Sequence, residues 1–260
     1  IPGTVGAAPV QNIGAYGAEV AELIASVRAW DRLRNRVVWL ALGELGLAYR
    51  DSRLKQSLTD TEVGGGRLWG PTGRWVVLDA TFAVRQGSLS SRIAYSQLAG
   101  ALGVELGERV PERELREAVL ELRRSKGMVL DGTDHDTWSA GSFFTNPILT
   151  TEQAEQLPED APRFPVTDHS QVVLGTKAAP VIEGLVKTSA AWLIDHAGFS
   201  KGFAVEAGAP AGLSTKHVLA LTNRGGATGA DLARLRDAVV AGVRERYGVT
   251  LVPEPVQVGF

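Results

Sequence analysis

The chain has 260 residues, of which 44% are hydrophobic and 22% are charged, and its formal net charge at pH 7 is −2. This composition is typical of a globular protein with one large domain or two moderate ones, and the charge balance does not indicate a nucleic-acid partner. The chain contains no cysteine, which excludes disulfides, cysteine-ligated metals and thiol nucleophiles. We expect neither a membrane span nor a signal peptide, because the chain has no sufficiently long apolar run and its opening lacks a basic region followed by an apolar one.

The first part of the chain predicts loops and strands. Residues 1–19 are rich in glycine and small side chains and carry almost no charge. Val27 to Trp30 and Val37 to Leu42 are predicted as two strands around a polar turn. Residues 61–75 are rich in Gly and Pro, which indicates a surface insertion or a long hairpin tip. Residues 74–87 alternate as in a half-buried strand.

The middle of the chain begins with the clearest predicted helix, at residues 110–127. Its acidic residues come early, its basic residues come late, and Gly127 ends it. Residues 128–149 are rich in turn formers and are predicted as a loop. Residues 152–165 are polar and contain prolines, so we expect them to be exposed.

The last third predicts two more helices, at residues 187–199 and 228–248, and a short buried strand at 216–223. Residues 249–259 read as a final strand that two prolines confine to a sheet edge. The final helix has an apolar stripe formed by Leu232, Leu235, Val239, Val243 and Tyr247. Strands and helices do not alternate regularly, which predicts an α+β fold rather than a doubly wound α/β fold.

Two glycine- or charge-rich stretches could carry chemistry. The opening glycines allow a large ligand to approach the backbone closely, although such a stretch is more often an ordinary loop. The stretch AYRDSRLK places Arg50, Asp51, Arg53 and Lys55 together. It is either a solvated turn or a cationic anchor for a carboxylate or phosphate.

Two single residues stand in rigid surroundings. Ser142 follows a glycine and precedes two aromatic residues, so its hydroxyl is either a structural turn group or a proton donor in a dry site. Glu254 lies between two prolines, which suits a carboxylate with a defined role, although surface glutamates are commoner. The four histidines lack the spacing of metal ligands, and we expect no metal site.

Taken together, the stretches IPGTVGAAPVQNIGAYGAE, YRDSRLK, AGSFFTNP, LSTKHVLALTNRGGAT and GVTLVPEPVQVG closely resemble the bacterial UDP-N-acetylenolpyruvoylglucosamine reductases. The resemblance runs over the whole chain in one order. It implies the second half of an FAD-binding (PCMH/VAO-like) domain at residues 1–127 and a smaller α+β substrate-binding domain at 128–248. Residues 249–260 would be a C-terminal strand that returns to the FAD-binding region. Family members begin with a further FAD-binding portion, so we expect the chain to lack the N-terminal part of that site.

The resemblance also implies an activity. Members of this family are cytoplasmic flavoenzymes that use NADPH and FAD to reduce the enolpyruvyl ether of a UDP-sugar. Hydride goes to C3 and a proton to C2. The implied partner is this small-molecule substrate, with no nucleic acid and no membrane, and the implied assembly is a monomer.

The resemblance also implies roles for individual residues, at the positions of this chain that match the family's motifs. The implied catalytic residues are Arg50, Ser142 and Glu254. The implied substrate-binding residues are Tyr95, Lys126, Asn146 and His217; some members carry glutamine at the position of His217. The implied FAD-lining residues are Ile1, Pro2, Gly3, Gly6, Ala7, Ala8, Gln11, Asn12, Gly14 and Ala15.

Three functional interpretations stay open from the sequence alone. The chain is either the enzyme or an inactive truncated or non-catalytic UDP-sugar-binding module. A further possibility is another member of the wider FAD-oxidase group that acts on alcohols, although that chemistry does not require GSFFTNP, LSTKH and PEP together.

Overall fold

The structure is a computed structural model that describes residues 3–169 and 179–259. The chain divides into two compact units. The N-terminal unit contains, among the described residues, 3–119, 167–169, 179–181 and 257–259, and the C-terminal unit contains 120–166 and 182–256. The division falls inside a helix rather than at residue 127, and residues 249–256 belong to the C-terminal unit.

The N-terminal unit is built around a three-stranded antiparallel sheet in the order β4-β3-β5. Its strands are β1 (Gly14–Ala15), β2 (Ala18–Glu19), β3 (Ile24–Asp31), β4 (Arg36–Ala41) and β5 (Trp75–Phe82). Its helices are α1 (Arg53–Gln56), α2 (Ser96–Leu102) and the 3₁₀ turns Val5–Val10, Val20–Glu22 and Leu42–Glu44. The predicted hairpin around a polar turn is confirmed, since β3 and β4 pair from Ser26↔Ala41 to Asp31↔Arg36.

Helix α3 (Glu112–Ser125) crosses the division between the units. It follows Pro111 and leads into Gly127, which has the left-handed φ of +67° typical of a helix end. Acidic residues occupy its first turn and Arg123 and Arg124 its last, as the macrodipole favours. The helix predicted at this position is confirmed.

The C-terminal unit contains two small sheets, in the orders β10-β11-β6 and β7-β9-β8. Its strands are β6 (Ser139–Ser142), β7 (Ile148–Thr150), β8 (Arg163–Thr167), β9 (Val181–Thr188), β10 (Ala211–Leu213) and β11 (Ala220–Asn223). Its helices are α4 (Thr151–Glu155), α5 (Ala190–His196), α6 (Gly229–Tyr247) and the 3₁₀ turn His135–Thr137. The mixture of helices and antiparallel strands confirms the α+β fold class.

Helix α6 forms the main apolar support of this unit. Leu235, Val239 and Val243 recur on one face and are fully buried, against buried side chains of α5 and β10. Thr228 and Asp231 cap the start of the helix reciprocally, and Gly248, with φ +69°, ends it. The core is therefore organised by the stripe that the sequence predicts.

Three loop predictions need correction. Residues 128–149 are not a continuous loop, because they contain β6 and the start of β7. The Gly- and Pro-rich segment is mostly exposed as predicted, but Trp69 is buried, its Nε1 donates to the carbonyl oxygen of Gly64 over 2.7 Å, and buried Arg74 pairs with Asp31. Residues 152–165 are also mostly exposed, but α4 and the following turn contribute Ala154, Leu157 and Ala161 to the core. Their burial anchors segments whose composition suggested free loops.

One strand prediction is wrong, at the C-terminal residues. Residues 249–256 form no regular strand and contain only an isolated bridge at Pro253. The two prolines supply no backbone N–H, so a continuous ladder cannot form there. Within the described part of the chain, no helix is both long and apolar enough to cross a membrane.

Candidate functional site

Ser142 lies at the end of β6, in the C-terminal unit. Gly141 precedes it with φ +83°, a left-handed conformation that glycine adopts without steric cost. Ser142 pairs with Ala220 of β11, and the N–H of Phe143 donates to the carbonyl oxygen of Leu219 over 2.7 Å. Phe144 is 2% exposed and belongs to the core. The half-buried serine is therefore held between a fixed strand and an aromatic anchor.

Glu254 is brought to the same place by backbone pairing. Phe144 and Pro253 form an antiparallel bridge, and the N–H of Glu254 donates to the carbonyl oxygen of Phe143 over 2.7 Å. On the other side of the bridge, the N–H of Thr145 donates to the carbonyl oxygen of Val252 over 3.1 Å. The backbone of Glu254 thus bonds to the residue that follows Ser142, although the two lie 112 positions apart (254 − 142).

Lys126 and His217 belong to the same unit, and the charge of Lys126 is felt at the His217 ring. Burial lowers the pKa of Lys126. Burial, together with the positive charges of Lys126 and Lys201, lowers the pKa of His217 to about 4. The imidazole is therefore neutral at pH 7 and stands among cations, an arrangement suited to an anionic ligand. Lys201 was not predicted, because a lysine in a turn after a helix resembles any solvated charge.

Asn146 has a structural contact in addition to its predicted role. Its Oδ1 accepts a hydrogen bond of 3.0 Å from the N–H of Ala190, in the first turn of α5. Ser189 caps the same helix by accepting from the N–H of Trp192. The Asn146 side chain is thereby oriented by the helix that follows β9.

Arg50 lies in the N-terminal unit, at the centre of a tight turn, with φ +55°. Its Nη2 donates to the carbonyl oxygen of Gly14 over 2.7 Å, and its Nη1 lies 3.9 Å from Oε1 of Glu19. The Nζ of Lys55 donates to the backbone oxygen of Arg50 over 2.9 Å. A left-handed backbone at a residue other than glycine is costly and is common where a side chain must be aimed. Hydrogen bonds therefore fix both the guanidinium and the backbone of Arg50.

Gly14 explains how closely Arg50 approaches the opening segment. A Cβ at this position would lie 2.8 Å from the carbonyl oxygen of Ala18 and 3.1 Å from Nη1 of Arg50. Glu19, which forms the ion pair with Arg50, also accepts a 2.8 Å hydrogen bond from Nδ2 of Asn12. The sequence alone gave no reason to single out Glu19.

Tyr95 is partly exposed in the N-terminal unit and precedes α2. Its ring packs edge-on against Tyr16, with the centroids 5.6 Å apart. Tyr16 itself has a left-handed φ of +52°. This contact connects Tyr95 to the opening segment.

Comparison with known proteins identifies the family. The C-terminal domain of UDP-N-acetylenolpyruvoylglucosamine reductase matches residues 133–258. Reductases of this name from Cutibacterium acnes and Streptomyces coelicolor are 49% and 50% identical to the chain over its whole length. The chain belongs to the UDP-N-acetylenolpyruvoylglucosamine reductase family. The membership predicted from the sequence is confirmed.

The chain spans 60% of the length of the C. acnes reductase and 62% of the S. coelicolor one. The reductase of Mycobacterium tuberculosis is 45% identical over all of this chain and 65% of its own length. The crystal structure of the reductase from Thermus caldophilus aligns with a TM-score of 0.48 and 19% identity, over 98% of this chain and 60% of that one.

The opening segment can be tested against the flavin that this family implies. Ile1 and Pro2 lie outside the described residues. Exposed small residues (Gly3, Ala7 and Ala15) leave the backbone accessible, and a Cβ at Gly3 would meet no atom within 4 Å. Exposed apolar side chains occur beside them, at Val5 and Ile13. This surface fits a flat, partly apolar ring.

The remaining predicted flavin-lining residues are less accessible. Gly6, Gln11 and Gly14 are half-buried. Ala8 and Asn12 are buried, and Oδ1 of Asn12 accepts from the N–H of Ala21 over 2.9 Å. In this structure, Ala8 and Asn12 support the segment from inside.

Proposed function

We propose that this chain carries the C-terminal part of an NADPH-dependent flavoenzyme that reduces UDP-N-acetylglucosamine enolpyruvate to UDP-N-acetylmuramate. The proposal places it in the cytoplasm and in peptidoglycan precursor synthesis, and hence in cell-wall biogenesis, cell shape and cell division. The observation that supports the proposal is the backbone hydrogen bond from Glu254 to Phe143, because it holds Glu254 against the residue that follows Ser142. Family membership supports the same reaction.

FAD, when bound and reduced by NADPH, supplies the hydride that C3 of the enolpyruvyl group receives. Negative charge then develops at C2 beside the substrate carboxylate, and the protein must stabilise this charge and protonate the carbon. The hydroxyl of Ser142 is the proposed donor to C2. A serine hydroxyl is a weak acid, so its donation depends on the groups held around it.

Glu254 is proposed to act at the same intermediate, because its position is fixed on both sides by proline and by the hydrogen bond to Phe143. Arg50 is proposed to stabilise the substrate carboxylate and the developing enolate. A guanidinium is suited to this role because its planar fork can bind a carboxylate through two hydrogen bonds. The strained backbone and the anchored Nη2 of Arg50 support an aimed side chain.

Lys126 and His217 are proposed to bind the anionic part of the sugar nucleotide. A neutral imidazole donates a hydrogen bond to a phosphate oxygen without repelling the neighbouring lysines. Asn146 and Tyr95 are proposed to contact the rest of the substrate. Each role follows from the family resemblance and is compatible with the exposure of these side chains.

Ser142→Ala tests the proton-donor role. The variant should reduce FAD with NADPH at the normal rate, whereas transfer to the enolpyruvyl substrate should slow by roughly 10²- to 10⁴-fold. Rapid-mixing absorbance of the flavin measures the two half-reactions separately. Ser139→Ala, in the same strand, is the matched control because, within the described part of the chain, its hydroxyl bonds locally and accepts from the N–H of Gly141. Equal slowing of both half-reactions would remove Ser142 from the donor role.

Arg50→Lys tests the guanidinium. The variant keeps the positive charge but loses the planar fork, so turnover should fall severely while flavin content stays unchanged. A turnover close to normal would refute the catalytic assignment. Purified protein that is colourless after incubation with FAD, yet binds UDP-sugar, would instead support a non-catalytic binding module.

A further inference from the structure

The segment between Lys126 and β6 contains a buried charge that the proposed mechanism does not use. Asp136 is 6% exposed. Its Oδ1 accepts a 2.9 Å hydrogen bond from the N–H of Thr215, and its Oδ2 accepts one from the Thr215 hydroxyl. Nη2 of Arg224 lies 4.0 Å from Oδ1. Burial opposes the charge, but the hydrogen bonds from Thr215 and Ser214 outweigh it and lower the pKa of Asp136.

Thr215 belongs to the turn that presents His217. The Oγ of Ser214 accepts from the N–H of Lys216 over 3.0 Å and from the N–H of His217 over 3.2 Å. The carbonyl oxygen of His217 then accepts from the N–H of Ala220, where β11 begins. The carboxylate of Asp136 therefore binds this turn at Thr215, two residues before His217.

The backbone of Asp136 packs against Gly127, the residue after Lys126. A Cβ at Gly127 would lie 2.9 Å from the carbonyl oxygen of Asp136 and 3.2 Å from its carbonyl carbon. Only a residue without a side chain fits this approach, and Gly127 directly follows Lys126. Asp136 thus contacts both the residue that follows Lys126, just after α3, and the turn that carries His217.

We propose that Asp136 is a positioning residue that fixes the spacing of Lys126 and His217, and so shapes a subsite for the diphosphate of the sugar nucleotide. The identity of the ligand rests on the proposed function, whereas the positioning role does not. Among the described residues, no group of three or more acidic or histidine side chains is arranged to hold a metal ion. The buried carboxylate acts through the turn and the helix end.

An NMR titration of the His217 ring in Asp136→Asn tests the positioning directly. Loss of the negative charge alone would lower the pKa of His217 slightly, because a nearby anion favours imidazolium. Movement of the turn away from Lys126 and Lys201 would instead raise the pKa of His217. We expect the pKa to rise by at least one unit. Thr215→Val, which removes one hydrogen bond and keeps Asp136, should shift it in the same direction by less.

Asp134→Asn is the matched control. Asp134 lies in the same segment and pairs with Lys216 at 2.5 Å, but this pair is partly exposed. Its Oδ1 accepts a 3.0 Å hydrogen bond from the N–H of Asp136, and the Oδ1 of asparagine can accept the same bond. The control should leave the pKa of His217 unchanged. An unchanged or lowered pKa in both Asp136→Asn and Thr215→Val, with normal thermal unfolding, would overturn the positioning role.

Calorimetric titration with UDP tests the subsite. Asp136→Asn should weaken binding roughly tenfold and Thr215→Val roughly fivefold, with Asp134→Asn within twofold of the unsubstituted chain. If the unsubstituted chain itself binds neither UDP nor UDP-N-acetylglucosamine, the diphosphate assignment of the proposed function fails, while the NMR result still decides the role of Asp136. Equal UDP affinity in all four proteins would overturn the link between Asp136 and the subsite.

Discussion

His217→Gln should make the protein less sensitive to acid. His217 is neutral in the folded chain down to a pH of about 4, because burial and the charges of Lys126 and Lys201 disfavour its protonation. In the unfolded chain, a histidine is protonated near pH 6.5. Between these values the unfolded state binds more protons, so the stability of the folded state falls as the pH falls from 6.5 to 4. The two pKa values give a loss of about 2 kcal/mol between pH 7.5 and pH 5.

Urea unfolding of the unsubstituted chain and of His217→Gln, followed by tryptophan fluorescence at pH 7.5, 6 and 5, measures this loss. Other groups titrate in both proteins, so the difference between the two pH profiles isolates His217. The variant should retain about 2 kcal/mol more of its pH 7.5 stability at pH 5. Lys201→Met should lie between the two, because it removes one of the charges that lower the pKa of His217. Identical profiles for all three proteins would refute the assignment of a neutral, cation-flanked imidazole.

Three further changes test the packing of each unit. Leu235→Ala removes a fully buried side chain of α6 and should lower the free energy of unfolding by roughly 3 kcal/mol, measured by urea denaturation. Arg74→Met leaves the carboxylate of Asp31 buried without its bidentate partner and should cost roughly 3–5 kcal/mol; recovery on adding Asp31→Leu would confirm the cause. Gly248→Ala places a side chain at a left-handed helix end and should lower the melting temperature by the equivalent of roughly 1 kcal/mol. A cost near zero for any of these would contradict the packing described for that residue.

The elements that the sequence predicted well are those with local signals. The β3–β4 hairpin has two apolar runs around a polar turn, and α6 has both a cap and an apolar stripe. Helix α4 was missed although it carries a capping box. The Thr150 side chain accepts from the N–H of Gln153, and the Gln153 side chain accepts from the N–H of Thr150. This signal was available in the sequence, but the following proline and acidic residues favoured a loop.

Other features depend on partners far along the chain. Arg74 is buried because Asp31, 43 residues earlier, accepts two hydrogen bonds from its guanidinium. In the sequence, Asp31 resembles a turn residue after a strand, and nothing local connects it to the glycine-rich segment. Asp136 was missed for the same reason, since three aspartates in a loop read as a solvated stretch. Buried charges that pair across long stretches of the chain leave no periodic pattern in the sequence, so sequence analysis does not detect them.

The candidate site was predicted through motifs rather than through geometry. GSFF and PEP suggested Ser142 and Glu254 separately, and the structure connects the two motifs through the bridge between Phe144 and Pro253 and the hydrogen bonds beside it. Arg50 was singled out from its motif, but its left-handed backbone was not foreseen. Residue identity thus indicated the chemistry, while conformation and pairing were visible only in the structure.

The prolines on either side of Glu254 have a consequence for association between molecules. Exposed edges with free N–H groups invite a strand from another chain and promote aggregation. Here Pro253 and Pro255 present ring carbons in place of donors, and the N–H between them is already bonded to Phe143. The segment around Glu254 is thus a poor template for a strand from another molecule.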